Sequence, residues 1–537
     1  MPTQSRTDRA ATHEVLNQPP RLVDYNAFGA DPALREALMR EGGEWGLDRV
    51  RDFGAVVASA DALAHARRAQ RNIPVLNTHD RYGNRIDEVE YDPSMHWMLR
   101  LGVEREINSL PWREPRAGAH VVRAALFHLF NQLDTGPCCP MSINYAAVPT
   151  MRQDAALAGE WEARLTLPDY DAFAQAGMVM TEKQGGSDLR ANSTVAEPIG
   201  DGWFELTGHK WFCTHPIFEV FFTLAQTEAG ITCFVAQRPR PGFRLQRLKD
   251  KLGGRSLASS EVEYDHLPAR ILGEEGRGTA FVVEQLIWTR LDTLTAVAGM
   301  MRRVVAEAIW HARHRMAFGA PLAEQPAMVN VLADIALESE AATRSSLRIA
   351  RAFDSADPDE VAFRRLALAV MKYWVCKRGA PLAAEALECL GGNGYVEEAP
   401  LAQFYRDIQI GTVWEGSGNV IALDALRALK REPRGASAFL AECELAAGGD
   451  PRFDAHMIHV REGLAALADE PAVAEWSARR VVEDMALALQ GSLLLRDAPG
   501  VVADAFCAGR LGTRGLAFGD LPRGVAGAAI VERALAL

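Results

Sequence analysis

GMVMTEKQGGSD, Gly177 to Asp188, is the stretch at which the hydrophobic period of this 537-residue chain changes. Upstream of it, REALMREGGEWGLDRVRDFGAVVASADALAHARRAQ and AHVVRAALFHLFNQL place apolar residues three and four apart between Pro and Gly breaks, which predicts helices over about 30–165. From Gly177 the pattern alternates. The short β-branched and aromatic runs GMVM, WFEL, KWFCT, VFFTLAQ, ITCFVAQ and EVEY lie between Gly, Pro, Asp and Asn clusters and predict a small β domain. After Gly278 the helical spacing returns in four long pieces, the last beginning after Glu415, and short connections between such pieces predict an antiparallel bundle. The expected architecture is mostly α with a central β domain. It has a polar leader over 1–29, an N-terminal helical domain over 30–176 and a β barrel or sandwich over 177–270. A helical bundle over 271–430 follows, and beyond the basic joint Lys430, Arg431, Arg434 lies an Ala-rich helical extension over 435–537.

The composition narrows the function classes. With 48% hydrophobic residues the chain can build several cores, about three or four domains at this length. Its 58 Lys+Arg against 70 Asp+Glu leave a net charge of -12, which excludes a wholesale nucleic-acid coat and allows only local basic patches. Eight cysteines without a CxxC pair make neither a disulfide framework nor a zinc site, so no metal is expected. Cys138-Cys139, between two prolines, reads as a tight turn. No apolar run reaches the length of a spanning helix, and MPTQSRTDRAATH lacks a hydrophobic signal core, so a cytoplasmic protein with no membrane partner is expected.

Three stretches carry chemistry. RDIQIGTVWEGSGNVIAL, Arg406 to Leu423, sets Glu415 between Trp414 and Gly416 at the mouth of a helix. Gly416 and Gly418 let backbone approach a bound molecule closely, and Ser417 or Asn419 can cap the helix. The loop from Thr181 to Asp188 offers backbone N–H groups and Ser187 to something flat or anionic, without P-loop or dinucleotide-fold spacing. GHKWFCT, Gly208 to Thr214, presents Trp211 and Phe212 as a wall for an aromatic ring system. Taken singly, each has a plainer reading: a solvated glutamate at a capped helix start, a surface turn, a β-domain core.

In order and spacing, T-E-x-x-G-G-S-D, G-H-K-W-F, R-x-x-F-G at Arg315 to Gly319, L-G-G-N-G-Y at Leu390 to Tyr395 and W-E-G resemble the acyl-CoA dehydrogenase family of flavoproteins over about 110–430. TEKQGGSD, KLGGRSLASSEVEY at Lys251 to Tyr264, WEGSGN and the C-terminal extension resemble the family's AidB branch, which is linked to the response to DNA alkylation. The resemblance implies FAD as cofactor, with Met178, Val179, Met180 and Thr181 along its ring and Ser187 at its pyrophosphate. Trp211, Phe212, Cys213 and Thr214 would lie on the ring's other side, with Trp414, Ser417 and Asn419 beside it. Arg315, Phe318 and the turn at Gly392 would meet the far end of a neighbouring subunit's FAD, which implies a homotetramer or at least a dimer. Glu415 matches the base that takes the α-proton of a small or branched acyl-CoA thioester while the β-hydrogen leaves as hydride. Arg290 matches an arginine packed near that base.

Electrons would pass to an electron-transfer flavoprotein. The AidB resemblance adds sequence-independent binding of double-stranded DNA, with Arg427 and Arg514 as the candidate contacts beside Lys430, Arg431 and Arg434. Against it, the tail from Gly435 holds nine arginines, no lysine and a surplus of Asp and Glu. Two departures from the family pattern are Phe212-Cys213-Thr214 after Trp211 where the family has I-T-N, and Glu388 where a Gln is common. Two readings follow: a working dehydrogenase, or a DNA-binding protective protein with a weak or vestigial dehydrogenase core.

Overall fold

A computed structural model describes residues 15–238, 241–469, 471–512 and 515–537. The N-terminal part is helical, as its spacing predicts, and two of its helices border the candidate site: α1 (Ala119–Phe130) and α2 (Cys138–Met151). The sequence expectations need three corrections here. A β-hairpin, Val75–His79 with Arg85–Glu90, interrupts the helices, its turn closed by Asp80, whose carboxylate accepts from the N–H groups of Tyr82 and Asn84. Cys138-Cys139 opens α2 and is not a turn, since Cys138 donates to the Asp134 carbonyl one helical turn back. The described part of the expected leader is tied down: Asn17 exchanges two hydrogen bonds with the Met316 backbone, and the Trp310 indole donates to the Pro20 carbonyl. Residues 1–14 lie outside the described residues.

The alternating runs form seven strands: β1 (Ala176–Val179), β2 (Val195–Gly200), β3 (Trp203–Thr214), β4 (Val220–Thr227), β5 (Gly230–Gln237), β6 (Phe243–Leu248) and β7 (Ser259–Ile271). Their order is β1-β4-β2-β3-β7-β5, and β5 pairs back onto β4 from Val220↔Gln237 to Thr227↔Gly230, so the sheet closes into a barrel. β6 pairs with β7 outside that ring. Closure leaves few free edges, which suits a small sheet set between two helical layers. WFEL and KWFCT turn out to be the two halves of β3, separated by a register shift between Leu206 and Gly208. β2 escaped the alternation signal because VAEPIG is mostly exposed. β4 reads as an unbroken apolar run because both its faces are buried. Phe221 packs against Phe243 and Tyr264, while Val220, Phe222 and Leu224 share a core with Val148 and Met151 of α2.

Beyond the barrel, α3 (Gly278–His314), α4 (Pro326–Phe353), α5 (Pro358–Cys389) and α6 (Gly418–Arg431) form the bundle. α5 starts at a Pro and is capped by Asp357, which accepts from the N–H groups of Asp359 and Glu360. The last connection is longer than expected, with short helices Gly392–Tyr395 and Leu401–Asp407 between α5 and α6. At the end of α4, the Asp354 carboxylate accepts from the His120 N–H at the start of α1, and burial pushes its pKa up to about 6.

The C-terminal extension, which includes α7 (Pro471–Asp497), is fastened to the bundle by buried arginines. Arg348 of α4 binds Glu442 and Glu360, Arg510 binds Asp334 and Glu338, and Arg533 binds Glu36 and Glu340. Burial alone would raise the Glu442 carboxyl, but the guanidinium groups of Arg348 and Arg496 hold it at about 2. That folded value lies below the ordinary 4.5, so the contribution to stability is fully present above pH 4.5 and is lost as pH falls toward 2. Arg348→Met should destabilise the chain by about 1.5–3 kcal/mol, because it removes the cation that Glu442 and Glu360 share and leaves Arg496 alone on Glu442. Thermal unfolding followed between pH 3 and 7 should show the largest deficit at neutral pH and convergence with the wild type in acid.

Candidate active site

Glu415 occupies a left-handed backbone conformation, φ +57°, and Gly416 follows at φ +108°. Such a φ costs a non-glycine residue about 1–2 kcal/mol, so the turn needs external support. It receives it at three successive carbonyls. The Lys372 ammonium donates to the carbonyls of Trp414 (2.9 Å) and Gly416 (2.6 Å), and Arg290 Nε donates to that of Glu415 (3.0 Å). Behind Arg290, Asp424 accepts from its Nη1 at 2.8 Å and from both Nη atoms of Arg365. Arg290 therefore reaches the backbone of Glu415 and not its carboxylate. A side chain at Gly416 would be strained by that φ, and its Cβ would lie 2.7 Å from Ile421 Cδ1, which would have to move.

The Glu415 carboxylate faces a pocket of about 340 Å³, counted out to its mouth, between α1, α2 and α3. Phe127, Cys139, Ser142, Thr293 and Trp414 line it. Asp292, also on the wall, is paired with Arg123, and both are buried. Thr289 donates to Glu415 Oε2 at 2.7 Å. Burial pushes the Glu415 pKa up from its ordinary 4.5, against the opposing pull of the Thr289 hydrogen bond and of the Arg290 and Lys372 cations. The Trp414 indole N–H is buried and has no hydrogen-bond partner among the described residues.

Above the barrel, the loop from Thr181 is anchored by a buried carboxylate. Glu182 accepts from the hydroxyls of Ser193 and Thr194, from both their N–H groups, and from Lys210 Nζ at 2.8 Å. Burial would raise Glu182, but the Lys210 ammonium and these donors bring it to about 2. Trp211 N–H donates to the Thr181 carbonyl, so the loop and β3 run side by side. Gly186 presses on Thr181, where a Cβ would stand 2.5 Å from Oγ1, and Thr181 itself is half-buried. Ser187 is exposed and Phe212 is 46% exposed, while the Lys249 ammonium sits 3.2 Å from the Trp211 ring centroid. Met180 is nearly buried, Met178 is half-buried, and the Thr214 hydroxyl pairs with Ser259. Val179 and Cys213 face the core, and their carbonyls accept from Thr223 and Ser260, so neither side chain is available to a ligand at the surface.

The remaining sequence candidates fall into separate places. Phe318 is 98% exposed at the tip of the hairpin Met316–Ala317/Ala320–Pro321, and Arg315 at its base donates to the Asn17 carbonyl. Gly392 borders open space, and the Asn393 amide bonds Gln18. Ser417 precedes α6 but gives it no side-chain hydrogen bond, and the Asn419 side chain accepts from Arg479, so the expected cap is absent. Arg427 is more than half exposed and 3.9 Å from Asp424. Arg434 pairs with Asp359, and Arg514 lies outside the described residues. The sequence reading missed Thr289, Lys372 and Asp424. The available signal was a lone lysine inside AVMKYWVC, an apolar run that would not carry a charge without a partner.

Comparison with known proteins agrees with this geometry. Residues 17–172 match the model of the adaptive response protein AidB N-terminal domain, 177–267 the acyl-CoA dehydrogenase middle domain, and 276–430 the acyl-CoA dehydrogenase C-terminal domain. The putative acyl-CoA dehydrogenase AidB of Escherichia coli K12 is 38% identical over 522 residues, covering 94% of this chain and 95% of that one. Caenorhabditis elegans ACDH-11, solved in complex with C11-CoA, superposes with a TM-score of 0.86 at 24% identity, over 99% of this chain and 94% of that one. An acyl-CoA dehydrogenase complexed with FAD from Bacillus anthracis gives a TM-score of 0.65 at 18% identity, over 78% and 80% of the two chains.

The Glu182–Lys210 pair gives the site its own test. Lys210→Met should strip Glu182 of its cation and cost about 3–5 kcal/mol, whereas the double variant with Glu182→Gln should recover part of that loss. Denaturant unfolding of the two variants checks this, and hydrogen exchange should show the Thr181–Asp188 loop losing protection first.

Proposed function

This chain belongs to the acyl-CoA dehydrogenase family, in its AidB-like branch, and on that premise we propose that it oxidises a short or branched acyl-CoA thioester with Glu415 as the base. The observation that carries this reading is the Glu415 carboxyl, aimed into a pocket walled by helices and raised in pKa by burial. A carboxylate in water is too weak a base for a thioester α-proton, and a dry wall narrows that gap. The family uses FAD, which supplies the acceptor for the β-hydride. The residues present fit it: the buried Trp414 indole N–H without a partner among the described residues, the half-buried Thr181, the exposed Ser187 and Phe212, and the close Gly186 turn.

In this reading Thr289 steadies the ionised base and Trp414 covers it. Met178, Met180, Thr181, Ser187, Trp211, Phe212 and Thr214 would hold the flavin, with Val179 and Cys213 contributing backbone alone. Arg315, the exposed Phe318 and the Gly392 turn would receive the far end of a partner's FAD in a homotetramer. Electrons would leave to an electron-transfer flavoprotein. Glu415→Gln should retain FAD and lose reduction by acyl-CoA by roughly 10²–10⁴-fold, because the amide cannot take a proton. Rapid-mixing absorbance with short, branched and long acyl-CoAs checks both this and the substrate class. The wild-type rate should also fall as pH drops through the raised Glu415 pKa, because only the ionised form is a base.

A second reading, sequence-independent DNA binding, rests on one observation. Arg427 is exposed, and its nearest carboxylate, Asp424, is already engaged by Arg290 and Arg365. Five of the nine tail arginines are spent on carboxylates of the protein itself: Arg452 on Asp450 and Asp504, Arg461 on Glu444, Arg496 on Glu442, Arg510 on Asp334 and Glu338, and Arg533 on Glu36 and Glu340. In this reading Arg427 with Lys430 and Arg431 would form a narrow surface that depends on repetition in an oligomer, and Arg514, outside the described residues, stays a candidate by sequence alone. Binding to any duplex should weaken steeply with salt, and Arg427→Ala with Arg514→Ala should flatten that slope without changing FAD content. Mobility shifts at two salt concentrations measure it, and no shift even at low salt would remove the DNA reading.

A further inference from the structure

We propose that Lys372 is a positioning residue for Glu415: its ammonium bridges the carbonyls on either side of the base and holds the left-handed turn that aims the carboxylate into the pocket. The inference rests on the assignment of Glu415 as the base. Lys372 lies on α5 between Met371 and Tyr373, 2% exposed, inside a stretch whose other members from Ala369 to Cys376 are buried and largely apolar. A buried ammonium is costly, and among the described residues Lys372 has no carboxylate within ion-pair distance. What it holds are two backbone carbonyls, those of Trp414 and Gly416, which flank the one residue of this turn whose φ is unfavourable for a side chain.

Arg290 secures the third carbonyl, pairs with Asp424 behind it, and also favours the ionised form of Glu415. Lys372 has no such neutralising partner, so its charge acts on the nearby Glu415 carboxylate and favours the ionised form. The groups facing Glu415 are thus Thr289, Arg290 and Asp292 from α3, Lys372 from α5, and the Cys139 thiol from α2. Lys372 therefore serves both terms of a base, its direction and its ionisation. Filling the same space with an apolar side chain would keep the packing and lose both.

The test uses the full-length, FAD-loaded protein with Lys372→Met, Lys372→Gln and Lys372→Arg. Infrared difference titration reads the Glu415 carboxyl without substrate, and Glu415→Gln identifies its band. The midpoint should rise in Lys372→Met and in Lys372→Gln, which keeps a donor without the charge, and return toward the wild type in Lys372→Arg. Flavin reduction by acyl-CoA at neutral pH should fall at least tenfold in kcat with little change in KM, and its pH profile should move to higher pH by the same amount as the infrared midpoint. An unchanged Glu415 midpoint in both uncharged variants, with FAD content intact, would overturn the proposal. Because the titration needs no turnover, a wild type that reduces with no acyl-CoA would refute the reaction and leave this inference to be judged by the infrared result alone.

Discussion

A glutamate held at φ +57° by two buried cations is the constraint on which the rest of this molecule turns. The turn cannot support itself, so α3 and α5 must lie close enough for Arg290 and Lys372 to reach its carbonyls. That requirement ties the long first helix of the bundle, the third helix and the start of α6 into one unit. Asp424, one turn and a half into α6, completes it by fixing Arg290 and Arg365 together. The site is made rigid by backbone contacts, which leaves the carboxylate oxygens free for Thr289 and for a substrate.

The barrel meets this unit with a second polar anchor. Glu182 and Lys210 are wholly buried, a pairing that apolar residues could replace with equal or better stability. Its retention makes sense where the loop from Thr181 to Asp188 must be presented in one conformation. Five donors converge on Glu182, and the two residues either side of it, Thr181 and Lys183, are left to the surface. The T-E and H-K of the two motifs are thus one structural device seen at two places in the chain.

The C-terminal extension repeats the same logic at larger scale. Its arginines, together with Arg348 of α4, make buried ion pairs between the extension and the bundle. A net-acidic tail that spends many of its arginines on ion pairs offers few of them outward. Charge counting alone pointed that way, and the pairing shows where the arginines went.

The sequence by itself determined the succession of helical, alternating and helical periods, and hence a small β domain between helical ones, because burial on one or two faces leaves a period of two or of three to four. It also determined the motif residues that make Glu415, the Thr181 loop and Trp211 candidates, since glycine spacing and residue type are local properties. Only the tertiary structure decided which partners complete them. Lys372 and Glu415 are far apart in the chain, and their contact depends on how α5 packs against the α6 start. Val179 and Cys213 belong to matching motifs but face the core, because the pleat sends alternate side chains to opposite sides. The hairpin at 75–90 and the strand β2 escaped for the opposite reason: exposed, charged strands carry no burial period, and pairing with a neighbour, which no local pattern records, is what makes them strands.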